Sequence, residues 1–145
     1  MNRTQWSSLL AAADRAELVE AGEACLEAAI AGGHDLPQVI QGPEVGIVTL
    51  DVREPIEASR FVLGEVLVTK CVVRLGDSTG GITLMGDDRE AALAGAICDA
   101  VMAGEGAGSD VVADLCARTS DRVDAERRAE WAELQPTVVS FEEMD

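Results

Sequence analysis

Apolar and polar positions fall into three successive patterns along the chain. From residue 4 to residue 30 the chain is rich in Ala, Leu and Glu, good helix formers, and this stretch ends at Gly32-Gly33, a strong stop signal. Asp14 and Glu17 stand three apart, the spacing of a capping box. A short first helix carrying Trp6, Leu9 and Leu10 is therefore predicted to break near Asp14 and restart.

After Pro37 the pattern changes to β-branched residues with a period of two. Strands are predicted near 45-53, 61-75 and 81-86, with Pro55 closing the first and the polar stretch Gly76 to Gly81 turning the chain between the last two. In the long second run Phe61, Leu63, Glu65, Leu67, Thr69, Cys71, Val73 and Leu75 share one face, and Val62, Val66, Val68, Lys70, Val72 and Arg74 the other. Both faces are mostly apolar, which predicts a central strand covered on each side, with a bend at Gly64. The result is an antiparallel meander.

The third pattern is helical again. Asp88 can cap a helix in which 91–102 is apolar almost all round and only Asp99 interrupts. Spanning a bilayer takes about 20 apolar residues, so this helix is expected to be buried in protein, with one side open to a partner. Gly104, Gly106 and Gly108 read as a hinge, and Ser109 as the cap of a last helix with Val112, Leu115, Cys116, Val123 and Trp131 as its stripe, stopped by Pro136. From about 136 the tail reads as extended. A strand over 137-141, including Phe141, would there pair with a sheet in this chain or in another. The whole is a single α+β domain over 1-145: a small antiparallel sheet, N-terminal helices and two C-terminal helices.

Composition narrows the function. The 145 residues are enough to bury about 70% of the unfolded surface. With 48% apolar residues but only 3% aromatic, the core must be built of Ala, Val, Leu and Ile. Acidic residues number 27 against 11 basic, a formal net charge of -16 that repels nucleic acid and anionic lipid; neither is expected as a partner. Such acidity also serves solubility alone in many proteins.

Cys25, Cys71, Cys98 and Cys116 lie far apart, and His34 is the sole histidine, so zinc and CxxC spacings are missing. The start MNRTQWSSLL carries no apolar signal segment, which leads to the expectation of a cytoplasmic, reducing setting and free thiols. Nothing matches a phosphate loop or a dinucleotide fingerprint. Asp87 and Asp88 are adjacent acids, but capping accounts for Asp88. No catalytic residue, cofactor or metal site is assigned. Glu65, Lys70 and Arg74 place charge inside an otherwise apolar strand, as snorkelling side chains at a solvated strand end or as fixed contacts across a subunit boundary.

That strand and its flanks, Leu63-Gly64-Glu65-Val66-Leu67-Val68-Thr69-Lys70-Cys71-Val72-Val73-Arg74-Leu75, strongly resemble the G-subunit family (PhnG) of the bacterial carbon-phosphorus lyase system. The resemblance begins at Gln5-Trp6-Ser7-Ser8-Leu9-Leu10-Ala11 and Ala16-Glu17-Leu18 and runs through Pro43-Glu44-Val45-Gly46-Ile47-Val48. It continues through Gly86, Asp88 and Asp99-Ala100-Val101 to Val139, Phe141 and Met144. The chain departs from the family where Lys70 replaces a customary Arg, Asp87 a basic residue and Ala91 a usual His, and where Glu142-Glu143 precede an early end.

The resemblance implies a non-catalytic subunit of a core complex with H, I and J subunits, the I subunit being the most direct partner. Such a complex supports ATP-dependent formation of alpha-D-ribose 1-methylphosphonate 5-triphosphate in organic phosphonate catabolism, so the chain would be one part of a transferase complex with no active site of its own. Gly64, Glu65, Thr69, Lys70, Arg74, Gly86, Asp88, Asp99 and Phe141 are the motif positions expected to support the interface. An acidic interaction adaptor diverged from this family is the alternative, and a stand-alone enzyme a more distant one.

Overall fold

The computed structural model describes residues 1–138. Its order is α1 (Arg3–Ala12), α2 (Arg15–Ala31), β1 (Gln38–Arg53), β2 (Arg60–Leu75), β3 (Ser78–Met85), α3 (Arg89–Ala103) and α4 (Ser109–Leu134), followed by a 3-10 turn over Gln135–Thr137. The fold is α+β, an antiparallel three-stranded sheet in the order β1-β2-β3 with helices before and after it.

Local chemistry sets most boundaries. Asp14 ends the first helical stretch and starts the second, its carboxylate accepting from the N–H groups of Ala16 and Glu17. The reciprocal capping box lies one helix earlier, where the Asn2 side chain accepts from Gln5 N and the Gln5 side chain from Asn2 N. Glu17 instead pairs with Arg118 of α4 at 3.2 Å. α2 stops at Gly32, with Gly33 at φ 86.

Several sequence expectations change. β3 begins at Ser78, so the turn is only Gly76-Asp77 and both Gly80 and Gly81 lie within the strand. Ser109 is the first residue of α4 rather than its cap. Gly108, at φ 96, holds the cap position, and the Ser109 hydroxyl donates to the Gly106 carbonyl at 2.6 Å. Thr137 belongs to the 3-10 turn and Val138 caps it; residues 139–141 of the expected terminal strand, including Phe141, lie outside the described residues.

The core sits between one face of the sheet and the helices. Thr69, Cys71, Val73 and Leu75 of β2 and Ile82 and Leu84 of β3 are buried under α3. The other sides of α3 meet α2, α1 and α4, so the chain itself covers most of the apolar helix expected to leave one side open to a partner. The chain encloses most of α3, leaving Leu93 and Met102 half-buried, because its small residues allow close approach. A Cβ on Gly80 would lie 2.2 Å from both Ala100 N and Ala96 O, and one on Gly22 2.6 Å from the Ala94 Cβ. All four cysteines are buried free thiols.

Candidate functional site

β2 is central but not covered on each side. β3 pairs with it only from Val68 to Leu75, and the half of β2 before Val68 pairs with β1 alone. This leaves a two-stranded arm that projects beyond the core. Ile47 faces Leu67 in register and Val48 faces Val66; Leu50 faces Gly64, beside a register shift. At the tip, Glu54 closes the turn by accepting from the N–H groups of Ile56 at 2.8 Å and Glu57 at 2.6 Å.

The arm is apolar and bare. Ile47, Val48, Leu50, Ile56, Phe61, Val62, Leu63 and Leu67 are all exposed, Ile47 at 63% and Leu63 at 65%. Glu65 is the single charge over 61–68, and 45–50 carries none, in a chain of net charge -16. A two-stranded ribbon is at best marginally stable by itself in water. A contiguous exposed apolar patch depleted of charge has the composition of an interface core. Gly46 and Gly64 have open space where a Cβ would stand, so a partner's backbone can approach the ribbon there.

The other motif positions fall into two internal networks and one open face. At the root of the arm, the Thr69 hydroxyl donates to the Gly86 carbonyl at 2.7 Å and accepts from Asp88 N at 3.0 Å, while Gly86 takes φ 93. Asp88 caps α3 by accepting from Ala91 N at 3.0 Å, and Arg15 at the start of α2 donates to Asp88 at 2.5 Å and to Glu90 at 2.6 Å. The Ala91 N–H bond is the main cause holding the Asp88 carboxyl below its ordinary value, and Arg15 adds to it against some desolvation.

Asp99 is the second network. It is 1% exposed and accepts from Trp6 Nε1 at 2.7 Å, Arg3 Nη2 at 2.7 Å, Gly81 N at 2.9 Å and Ser7 Oγ at 3.3 Å. Lys70 and Arg74 are exposed on the sheet face away from α3, and neither forms an ion pair among the described residues. Glu44, opposite Lys70 in register, accepts from Gln41 instead, at 2.6 Å. These two cations are thus the solvated side chains of one reading, and among the described residues they are not buried pairs.

His34 borders a cavity of about 190 Å³ at the C-terminal ends of α2 and α3, lined also by Asp77 and Ser78. No hydrogen bond joins these three side chains to one another, so the described geometry assembles no nucleophile and base there. Among the described residues, no group of three or more His, Cys, Asp and Glu gathers as metal ligands, and no helix is long and apolar enough to cross a membrane.

The Asp99 and Thr69 networks could not be read from sequence, since Arg3, Trp6 and Arg15 lie far from Asp99 and Asp88 along the chain. Only the isolation of Asp99 within an apolar helix signalled it. No curated protein matches the chain. The family described as phosphonate metabolism protein PhnG matches residues 1–145, and the chain belongs to that family.

Proposed function

We propose that the chain is a non-catalytic subunit of the carbon-phosphorus lyase core complex, supporting ATP-dependent formation of alpha-D-ribose 1-methylphosphonate 5-triphosphate in the cytoplasm. Its direct partner is the I subunit, within an assembly that also holds H and J. The observation that carries this reading is the bare apolar arm, whose large side chains find no cover within the described chain. Family membership supplies the setting of phosphonate metabolism, and the arm supplies the reason for a partner.

Co-expression with a tagged I-type subunit tests the assignment. The wild-type chain should co-purify in a stable complex. Ile47→Asp with Leu67→Asp places two charges on one cross-strand pair and should weaken capture roughly tenfold or more while circular dichroism of the chain alone is unchanged. When the other proteins of the complex are supplied with ATP and methylphosphonate, formation of the ribose triphosphate should depend on adding this chain. A chain that stays free in the presence of the I-type subunit overturns the assignment and favours the diverged adaptor.

A further inference from the structure

The core holds a pair of thiols that the arm does not use. α2 and α3 run side by side in the same direction: Arg15 at the start of one bonds Asp88 and Glu90 at the start of the other, and Gly22 meets Ala94 further along. One turn beyond that closest approach stand Cys25 and Cys98, both fully buried and both free. Cys25 Sγ donates to the Gly108 carbonyl at 3.7 Å, and a Cβ on Gly108 would lie 3.3 Å from the Cys25 Cα, so the glycine-rich loop covers Cys25 directly.

On these adjacent turns the Cys98 side chain acts on Cys25 to pull its thiol below its ordinary value, against desolvation, while the same neighbour and burial push the Cys98 thiol upward. One member of the pair is thereby the better nucleophile and its neighbour keeps a proton. The cavity beside His34 reaches to Ala29, one turn past Cys25, and to Val101, one turn past Cys98; Gly104, Gly106 and Ala107 form its wall. Opening of that short glycine-rich segment is the route by which a small molecule would reach Cys25.

We propose that Cys25 and Cys98 form a redox modification site, converted by a small two-electron oxidant such as hydrogen peroxide into an intramolecular disulfide tying α2 to α3. The Cys25 thiolate attacks one peroxide oxygen, the O–O bond breaks, and hydroxide leaves to become water with the Cys25 proton. The Cys98 sulfur then attacks the Cys25 sulfenic acid. The S–O bond breaks and the hydroxyl departs as water with the Cys98 proton, so two thiols and one peroxide give one disulfide and two waters. Cys71, in β2, serves as an internal control, whereas Cys116, near enough to act on the Cys98 thiol, is the competing partner; its Sγ donates to the Trp6 carbonyl at 4.0 Å.

The test is a peptide map of the full folded chain after hydrogen peroxide treatment, with free thiols alkylated under denaturing conditions. A Cys25 peptide linked to the Cys98 peptide is expected, released by dithiothreitol, with Cys71 and Cys116 alkylated. The link closes a long loop, so the thermal midpoint of the oxidised chain should rise by roughly 10 °C. Cys71→Ser should leave the link intact, and Cys98→Ala should replace it with a sulfenic acid at Cys25 that dimedone traps. Four alkylatable thiols after treatment, or a bridge through Cys116 instead, would overturn the proposal.

Discussion

The indole Nε1–H of Trp6 donates to the Asp99 carboxylate across 2.7 Å, joining the first helix to the middle of the third. Asp99 is nearly without solvent, and four donors surround its carboxylate, Arg3 among them. Arg3 is itself half exposed. It can return to water if the carboxylate is removed, whereas the Trp6 N–H and Gly81 N–H cannot easily do so. Asp99→Ala should therefore destabilise the chain by about 2 kcal/mol, the cost of stranding two half-buried donors, and Arg3→Ala by under about 1 kcal/mol. Urea denaturation midpoints compare the two, and equal losses would mean that the ion pair, and not the half-buried donors, carries the network.

Glycine positions offer a contrast within one sheet. At Gly80 a methyl group would collide with backbone atoms of α3, which cannot swing aside as a side chain can; at Gly64 it would meet open space. Gly80→Ala should cost about 3 kcal/mol or more. Gly64→Ala should be neutral or stabilising by about 0.5 kcal/mol, because Gly is a poor strand residue. Thermal midpoints of the two variants are the measurement. A harmless Gly80→Ala would mean that α3 does not approach β3 as closely as described.

The same pair shows what the sequence could and could not convey. Helix ends at Asp14, Gly32 and Asp88 were legible because capping joins residues within one turn. Gly80 and Gly81 carry turn-forming chemistry, yet their place in β3 is dictated by a helix that follows in the chain, which local reading cannot see. The apolar period of β2 correctly marked a central strand. Periodicity reports which positions avoid water, however, and not what covers them, so the bare half of the strand read the same as the buried half.

Asp88 makes stability depend on acid. Its carboxyl is held below the ordinary value by the Ala91 N–H first and by Arg15 next. A folded-state value below the unfolded one, about 3.9, contributes stability that is present above about pH 4 and is lost as pH falls through the folded value. Asn remains a good cap but has no charge to titrate. Asp88→Asn should be less stable than the wild type at about pH 6, and the gap should close progressively on acidification below about pH 4. Denaturant midpoints across that range check the sign; a gap that widens in acid contradicts it.

Lys70 and Arg74 give the last prediction, because they separate what the chain needs for folding from what a partner needs. Both stand on the sheet face away from α3, exposed, with Val72 between them, and neither pairs with an acid among the described residues. Had they been buried in the strand, losing one would strand an acid at a cost of about 3 to 5 kcal/mol. Exposed as they are, Arg74→Ala and Lys70→Ala should each change the stability of the isolated chain by under about 1 kcal/mol, and Lys70→Arg by less. If these charges belong to the rim of the proposed interface, their loss acts on association instead. Rim charges steer encounter more than they hold the complex, so the association rate should fall, and the deficit should shrink as salt is added. Measuring thermal midpoints of the free chain beside binding kinetics at low and high salt distinguishes the outcomes. A large stability loss in Arg74→Ala would place that residue in the fold, and unchanged kinetics in both alanine variants would remove this face from the interface.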